Sequence, residues 1–240
     1  EKAESLKKGL MQDMLTKGIG HTEFKEVQIG PETVIIPESW QLKKLKNITD
    51  VRASNVNKKS KDGEEPVELC NYLDVYNNEY IEMGMNFMKA TAKEREIERF
   101  TIEKGDVIIT KDSETPDDIA VPAVVTDDLE NVLCGYHLTL LKPDKSKING
   151  IFLSKVLQSS PINNEFCRLA QGLTRYGLNV PSIKNALIFV PPLDEQIKIV
   201  KILEKLDKKI QTEKRVNRKH RHLKKGLMQD LLTGKVRVNA

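Results

Sequence analysis

Residues 195–232 read EQIKIVKILEKLDKKIQTEKRVNRKHRHLKKGLMQDLL, a stretch with no proline and one glycine, Gly226. Its apolar positions Ile199, Leu203, Leu206 and Ile210 step by four, three and four, the spacing of a coiled-coil seam. Leu227 and Leu231 resume a four-residue apolar step near the end, and these six residues are the candidates for helix pairing. One continuous helix here would be about 57 Å long, too long to be buried in a small domain. Between Glu213 and His222 the seam turns polar, with Asn217 where an apolar knob belongs. Such a position either frays into solvent or fixes the register of a helix pair.

The end of this helix repeats the start of the chain. Leu6-Lys7-Lys8-Gly9-Leu10-Met11-Gln12-Asp13-Met14-Leu15-Thr16 returns as Leu223-Lys224-Lys225-Gly226-Leu227-Met228-Gln229-Asp230-Leu231-Leu232-Thr233, differing at Met14 against Leu231. The separation far exceeds the about 20–50-residue period of solenoid and propeller units, so a large module is duplicated. The expectation is a chain that starts in the tail of one helix, crosses a globular unit and closes on the equivalent helix. A first residue that is Glu1 rather than Met agrees with it.

The 240 residues hold one large domain or a domain with an appendage. With 39% hydrophobic and 31% charged residues, the composition is that of a soluble protein with a modest core. No apolar run approaches the about 18 residues of a membrane span, and no charged-then-apolar leader opens the chain, so the expected address is the cytoplasm. Cys70, Cys134 and Cys167 are odd in number and lack C-x-x-C spacing, which reads as reduced, partly buried thiols rather than disulfides or zinc ligands. The net charge is +4, but the cations cluster: Lys58, Lys59 and Lys61 form one group, and Lys208 to Lys225 another. Both groups can attract phosphates, and the second is equally the solvated face of a helix.

Along the chain, Leu6, Leu10 and Met14 before Gly18 mark a helix over residues 4–17. Gly20, Gly30 and Pro31 punctuate a linker, and the globular part starts near Trp40. Val67 to Val75, Asp106 to Thr110, Ile119 to Thr126 and Val132 to Leu141 read as strands, Ile151 to Gln158 and Asn163 to Ala170 as short helices. Without regular βαβ alternation the class is α+β, a globular mixed unit followed by a long coiled-coil-type helix. The expected divisions are 1–18 for the preceding helix tail, 19–36 linker, 37–192 globular domain, 193–234 long helix and 235–240 tail.

No catalytic constellation emerges. Pro191-Pro192 follows Val190, whereas a methyltransferase acting on an amino group needs an amide or carboxylate there, and valine accepts no hydrogen bond. Neither G-x-G-x-x-G nor G-x-x-x-x-G-K-[ST] occurs, so no nucleotide or S-adenosylmethionine is expected in this chain. Asp112, Glu114, Asp117 and Asp118 read as a solvated loop in preference to a hydrolytic metal centre, and His137 as a core or edge histidine of a strand. No metal site is expected. The most suggestive loop is Gly172-Leu173-Thr174-Arg175-Tyr176-Gly177-Leu178-Asn179: its glycines free the backbone for close approach, while Thr174, Arg175 and Tyr176 offer groups that bond bases or phosphates. A turn with a solvent-facing Arg is the competing reading. Lys58, Lys59, Lys61 and Lys111 complete the candidate DNA-binding set. Lys89, Lys93, Arg95 and Arg99 interleave with Glu94, Glu96 and Glu98, which an exposed helix explains.

Several phrases, in order, resemble one family. They are Ile36-Pro37-Glu38-Ser39-Trp40, Lys104-Gly105-Asp106-Val107-Ile108-Ile109, Cys134-Gly135-Tyr136-His137-Leu138, Val190-Pro191-Pro192-Leu193-Asp194-Glu195-Gln196 and the closing phrase from Leu223 to Thr233. The chain resembles the specificity subunit of type I restriction-modification systems, over one target-recognition domain, its following spacer helix and the end of the preceding one. The resemblance implies a protein that reads one half of a bipartite double-stranded DNA site and is not itself an enzyme. It implies S-adenosylmethionine, Mg and ATP in partner subunits, direct docking of modification subunits, indirect association of restriction subunits, and a second recognition domain or a homodimer through the long helix. Because the chain holds one complete recognition domain, a fragment and a natural half-subunit are both open. The alternatives are the recognition end of a fused restriction-methyltransferase and a coiled-coil adaptor without DNA binding.

Overall fold

A computed structural model describes the backbone of residues 2–233 and the side chains of Lys7 and residues 9–233. The tail assigned to 235–240 and the Leu6 side chain lie outside the described residues. In chain order, α1 (Lys2–Thr16) precedes β1 (Phe24–Ile29), β2 (Glu32–Pro37), β3 (Gln41–Lys44), a 3-10 turn (Leu45–Asn47) and β4 (Thr49–Ala53). Next come β5 (Glu65–Cys70), α2 (Tyr72–Tyr76), β6 (Tyr80–Ile81), β7 (Met88–Ala92), α3 (Glu94–Phe100), β8 (Val107–Thr110), β9 (Asp112–Ser113) and β10 (Pro122–Val125). β11 (Val132–Cys134), β12 (Leu138–Pro143), α4 (Gly150–Leu157), α5 (Ser160–Leu169), β13 (Tyr176–Gly177), α6 (Val180–Asn185), β14 (Leu187–Val190) and α7 (Leu193–Leu232) complete the order. The α+β class and the long closing helix agree with the sequence reading. The chain divides into two compact units, Met11–Val200 and a smaller one of Glu1–Leu10 with Lys201–Ala240.

In the larger unit the central sheet runs β4-β12-β8-β10-β6, antiparallel except for the β10–β6 pair. β8 and β10 are buried along their whole length, which is why Val107-Ile108-Ile109 and Ala123-Val124-Val125 are unbroken apolar runs rather than alternating ones. A second sheet, β11-β5-β7, adds Val67, Leu69, Val132 and Leu133 to the core that contains Ile108, Val125 and Leu140. α4 lies against β8 and β10 and is buried on nearly every side. Its first residue must be Gly150, because a Cβ there would stand 2.0 Å from the Gly105 carbonyl oxygen. The buried Lys155 of α4 is ion-paired with Glu79; burial alone would depress its pKa, but Glu79 and Tyr80 outweigh it and the value ends raised.

Three expectations change. Residues 19–36 are not a linker: β1 and β2 pair in a hairpin with Ile29 opposite Glu32, so Gly30 and Pro31 are its turn, and Ile29, Val34 and Ile36 are buried. The strand expected over 67–75 stops at Cys70, where Asn71 opens α2 and its backbone N–H donates to Asp74 Oδ2 at 2.7 Å; a side chain competing for backbone groups ends a strand. The strand expected over 132–141 is split by Gly135, Tyr136 and His137.

The start of α7 is locked into the larger unit. Glu195, 8% exposed, accepts from Trp40 Nε1 at 3.0 Å and Ile19 N at 3.1 Å, and its Oε1 lies 2.7 Å from His21 Nε2. Gln196 accepts from Asn149 N and donates to the carbonyls of Lys147 and Pro191. The Pro-Pro-Leu-Asp-Glu-Gln phrase is thus an anchor, and the fully buried Trp40 is one of its partners rather than the start of the domain, which already includes the hairpin of 24–37. Ile199 is buried beside it. In the smaller unit Leu203 and Ile210 are buried and Leu206 half-buried, and Lys7 Nζ meets Asp207 Oδ1 at 2.5 Å, so the amino-terminal part of α1 lies alongside this stretch of α7. From Gln211 to Thr233 all residues but the half-buried Asp230 are exposed. Leu227 and Leu231, expected in a seam, are 53% and 46% exposed: the seam is filled as far as Ile210 and bare beyond it.

Candidate nucleic-acid interface

β4 and β8 end, and β12 begins, at one end of the central sheet's strands, since Ala53 pairs with Thr139 and Thr110 with Leu138. The segments leaving that end wall a cleft of about 690 Å³. Lys58 comes from the segment after β4, Asp112, Glu114 and Asp118 from the segment after β8, His137 from the turn before β12, Tyr72 and Tyr76 from α2, and Arg175 from the loop before α6.

Backbone pairing fixes the loop that carries Arg175. Gln171 and Gly177 exchange N–H···O bonds at 3.0 and 2.9 Å, Tyr176 pairs with Ser113, and Leu178 N donates to the Lys111 carbonyl at 2.9 Å. Gly172 sits at φ +150°, and a Cβ there would be 1.9 Å from the Arg175 carbonyl oxygen, so no other residue closes this turn. Leu173, Thr174 and Arg175 are exposed at its tip. The acidic segment and the Gly-Leu-Thr-Arg-Tyr-Gly loop are therefore one two-stranded unit.

The opposite wall is rigid too. His137 has φ +71°, a conformation that costs a non-glycine residue about 1–3 kcal/mol and persists where surroundings over-determine it. Its Nδ1 lies 2.6 Å from Asp112 Oδ2, its ring meets Tyr136 edge-on at 4.0 Å, and its carbonyl accepts from Lys111 N at 3.0 Å. The Lys111 ammonium stands 5.8 Å from the Tyr136 ring centre. Tyr72 and Tyr76, one helical turn apart, stack at 5.6 Å, and the Tyr76 hydroxyl donates to Asp118 Oδ2 at 2.6 Å. Burial first, then the carboxylates of Asp118, Asp112 and Glu114, raise the Tyr72 pKa against the opposing pull of Arg175. The bond to Asp118 raises that of Tyr76. Both phenols stay protonated donors.

The cleft is thus lined by both signs of charge, with aromatic faces between them. A guanidinium can bond the O6 and N7 edge of guanine, carboxylates accept from the amino groups of cytosine, and phenols bond phosphate or bases. Among the described residues no group of three or more His, Cys, Asp or Glu is placed to hold a metal ion.

Of the sequence candidates, Lys58 and Arg175 line the cleft, Lys111 and Tyr176 belong to its backbone stitching, and Thr174 is at the loop tip. Lys59 and Lys61 are exposed but do not line it; the Lys61 N–H is tied to Thr91 Oγ1 at 2.8 Å, beside β7. His137 is no strand histidine, and together with Tyr72, Tyr76 and the acidic segment it was missed as a site group. The Tyr72-x-x-x-Tyr76 spacing, which puts two rings on one helix face, was a usable signal for the tyrosines.

Residues 37–219 match the family described as the type I restriction modification DNA specificity domain. The chain belongs to this family. It is 25% identical over 97% of its length to the MjaVIII specificity subunit of Methanocaldococcus jannaschii, covering 54% of that protein. To the EcoBI specificity subunit of Escherichia coli it is 25% identical, covering 76% of this chain and 38% of the relative. The chain thus spans about half the length, or less, of these specificity subunits. Among solved structures, the HsdS subunit of Thermoanaerobacter tengcongensis superposes with a TM-score of 0.57 at 16% identity, over 90% of this chain and 45% of that one. A structure described in terms of complex assembly and conformational transition of the type I R-M system gives 0.66 at 16% identity, over 97% and 51%. These superpositions establish the shared specificity-domain fold. Among the described residues no helix is long and apolar enough to cross a membrane.

Proposed function

We propose that this specificity-domain chain recognises double-stranded DNA, reading one half of a bipartite site with the cleft at the end of the central sheet. The observation that carries this reading is the fixed loop of Arg175, held by backbone pairing against the carboxylates and tyrosines of a domain that belongs to a DNA specificity family. Arg175 and the cleft carboxylates supply base contacts; Lys58, with Lys59 and Lys61 outside the cleft, supplies phosphate contacts. The chain is non-catalytic by itself. Methyl transfer from S-adenosylmethionine belongs to modification subunits, and ATP- and Mg-dependent steps belong to restriction subunits associated through them.

The long helix is the assembly element. The Leu223–Thr233 phrase, bare in this chain, pairs with the Ile199–Ile210 stretch of a second module, as the equivalent first phrase begins beside Asp207 here. That module is another recognition domain or a second copy of this chain, and modification subunits dock along the pair.

The test is duplex binding by the full chain, followed by anisotropy across a salt series. Exchanging Lys58, Lys59, Lys61 and Arg175 for Glu should abolish binding at low salt, because each lost phosphate contact also removes about one released counterion. Binding unchanged by these exchanges would overturn the assignment of this face.

A further inference from the structure

The free edge of the central sheet carries a second charged groove. β4 pairs with β12 on one side only, and beside it Asp50, Arg52, Arg95, Glu98, Arg99 and Lys184 line a polar groove of about 520 Å³. Four cations face two carboxylates. Arg52 is held in place: Nε donates to Asp50 Oδ2 at 2.7 Å and Nη1 to the Arg99 carbonyl at 2.8 Å. Arg95 and Arg99 are one turn apart on α3 and share a face; like charges so spaced repel, and an anion between them turns the repulsion into attraction. Arg99 rests over the Phe100 ring at 5.4 Å. The interleaved Glu96 is withdrawn, since its Oε2 accepts from Lys93 N at 3.1 Å at the start of the helix.

We propose that this groove binds DNA phosphate and is a second contact for the duplex whose bases the cleft reads, an inference that rests on the DNA-recognition reading above. Arg52 pairs with Leu140, three residues along from His137, so groove and cleft are about 10 Å apart along the strands, within the span of one duplex groove of about 12 Å. A protein partner would call for an apolar anchor; the sole apolar lining residue, Val51, is 5% exposed. Phosphate contacts position a duplex without reading its sequence. The groove therefore adds affinity to every duplex equally, while the cleft discriminates.

The experiment titrates the full chain against a labelled mixed-sequence duplex over a range of salt concentrations. Arg95→Gln, Arg99→Gln and Lys184→Gln together leave the Arg52 bonds in place; the expected result is roughly tenfold weaker binding and a salt slope lower by about 2 to 3. Lys46→Gln, Lys104→Gln and Lys145→Gln remove equal charge at the opposite end of the strands and should leave the slope unchanged. Arg52→Lys, which keeps charge but loses the fork, should weaken binding with little change in slope. Wild-type affinity in the first variant overturns the groove, and does so equally if that variant instead loses a partner subunit. An equal loss in the charge-matched control overturns it too, as a bulk-charge effect. A wild-type chain that binds no duplex overturns the DNA-recognition reading, and the groove with it.

Discussion

The same phrase occurs twice in this chain and meets two different surroundings. In the first copy Leu15 is fully buried, Thr16 is 7% exposed, and Leu10, Met11 and Met14 are half-buried. In the second, the matching Leu232 is 82% exposed, and Leu227, Met228 and Leu231 are 53%, 50% and 46% exposed. Sequence sets the helix and its apolar stripe in both, but burial depends on what lies alongside. An apolar stripe of this size, repeated from a copy that is covered, is a surface waiting for the same cover.

That contrast can be broken by substitution. Leu15→Ala should cost about 3 kcal/mol in urea unfolding of the full chain, the range for a fully buried leucine, whereas Leu232→Ala should cost under about 0.5 kcal/mol. Equal costs would mean that the two copies are not distinguished by packing. A second exchange sharpens the difference between the two ends of α7. Glu195→Gln keeps the shape but weakens the acceptor for Trp40, Ile19 and His21, and a cost of about 2 kcal/mol is expected, as for a buried charge-assisted set. A cost near that of Leu232→Ala would remove the anchor from the account.

The long helix and the buried strands were legible because periodicity and unbroken apolar runs are local signals; the expected start of the domain near Trp40 was wrong, since the hairpin of 24–37 precedes it in the same unit. Arg175 was legible as chemistry, two glycines around exposed polar groups. Its partners were not: Tyr176 pairs with Ser113 from about sixty residues away in sequence, and no local pattern announces such a pairing. His137 misled for a related reason. Flanked by apolar residues it reads as a strand, and the left-handed backbone that turns it into the cleft is imposed by tertiary contacts with Lys111 and Asp112. The hairpin of 24–37 was hidden by Gly30 and Pro31, which mark a tight turn as readily as a linker. The cations of α3 lie on an exposed helix, as the interleaved pattern implied, but the local pattern did not announce that Glu96 bonds the Lys93 N–H.

The central claim is that the cleft reads base sequence through Arg175. Repeated selection of duplexes from a randomised pool by the full chain tests it directly. The account expects a short common half-site containing guanine, lost with Arg175→Ala while binding to unselected duplex falls far less. Enrichment of no common sequence by the wild-type chain, or of the same sequence by both chains, would contradict it.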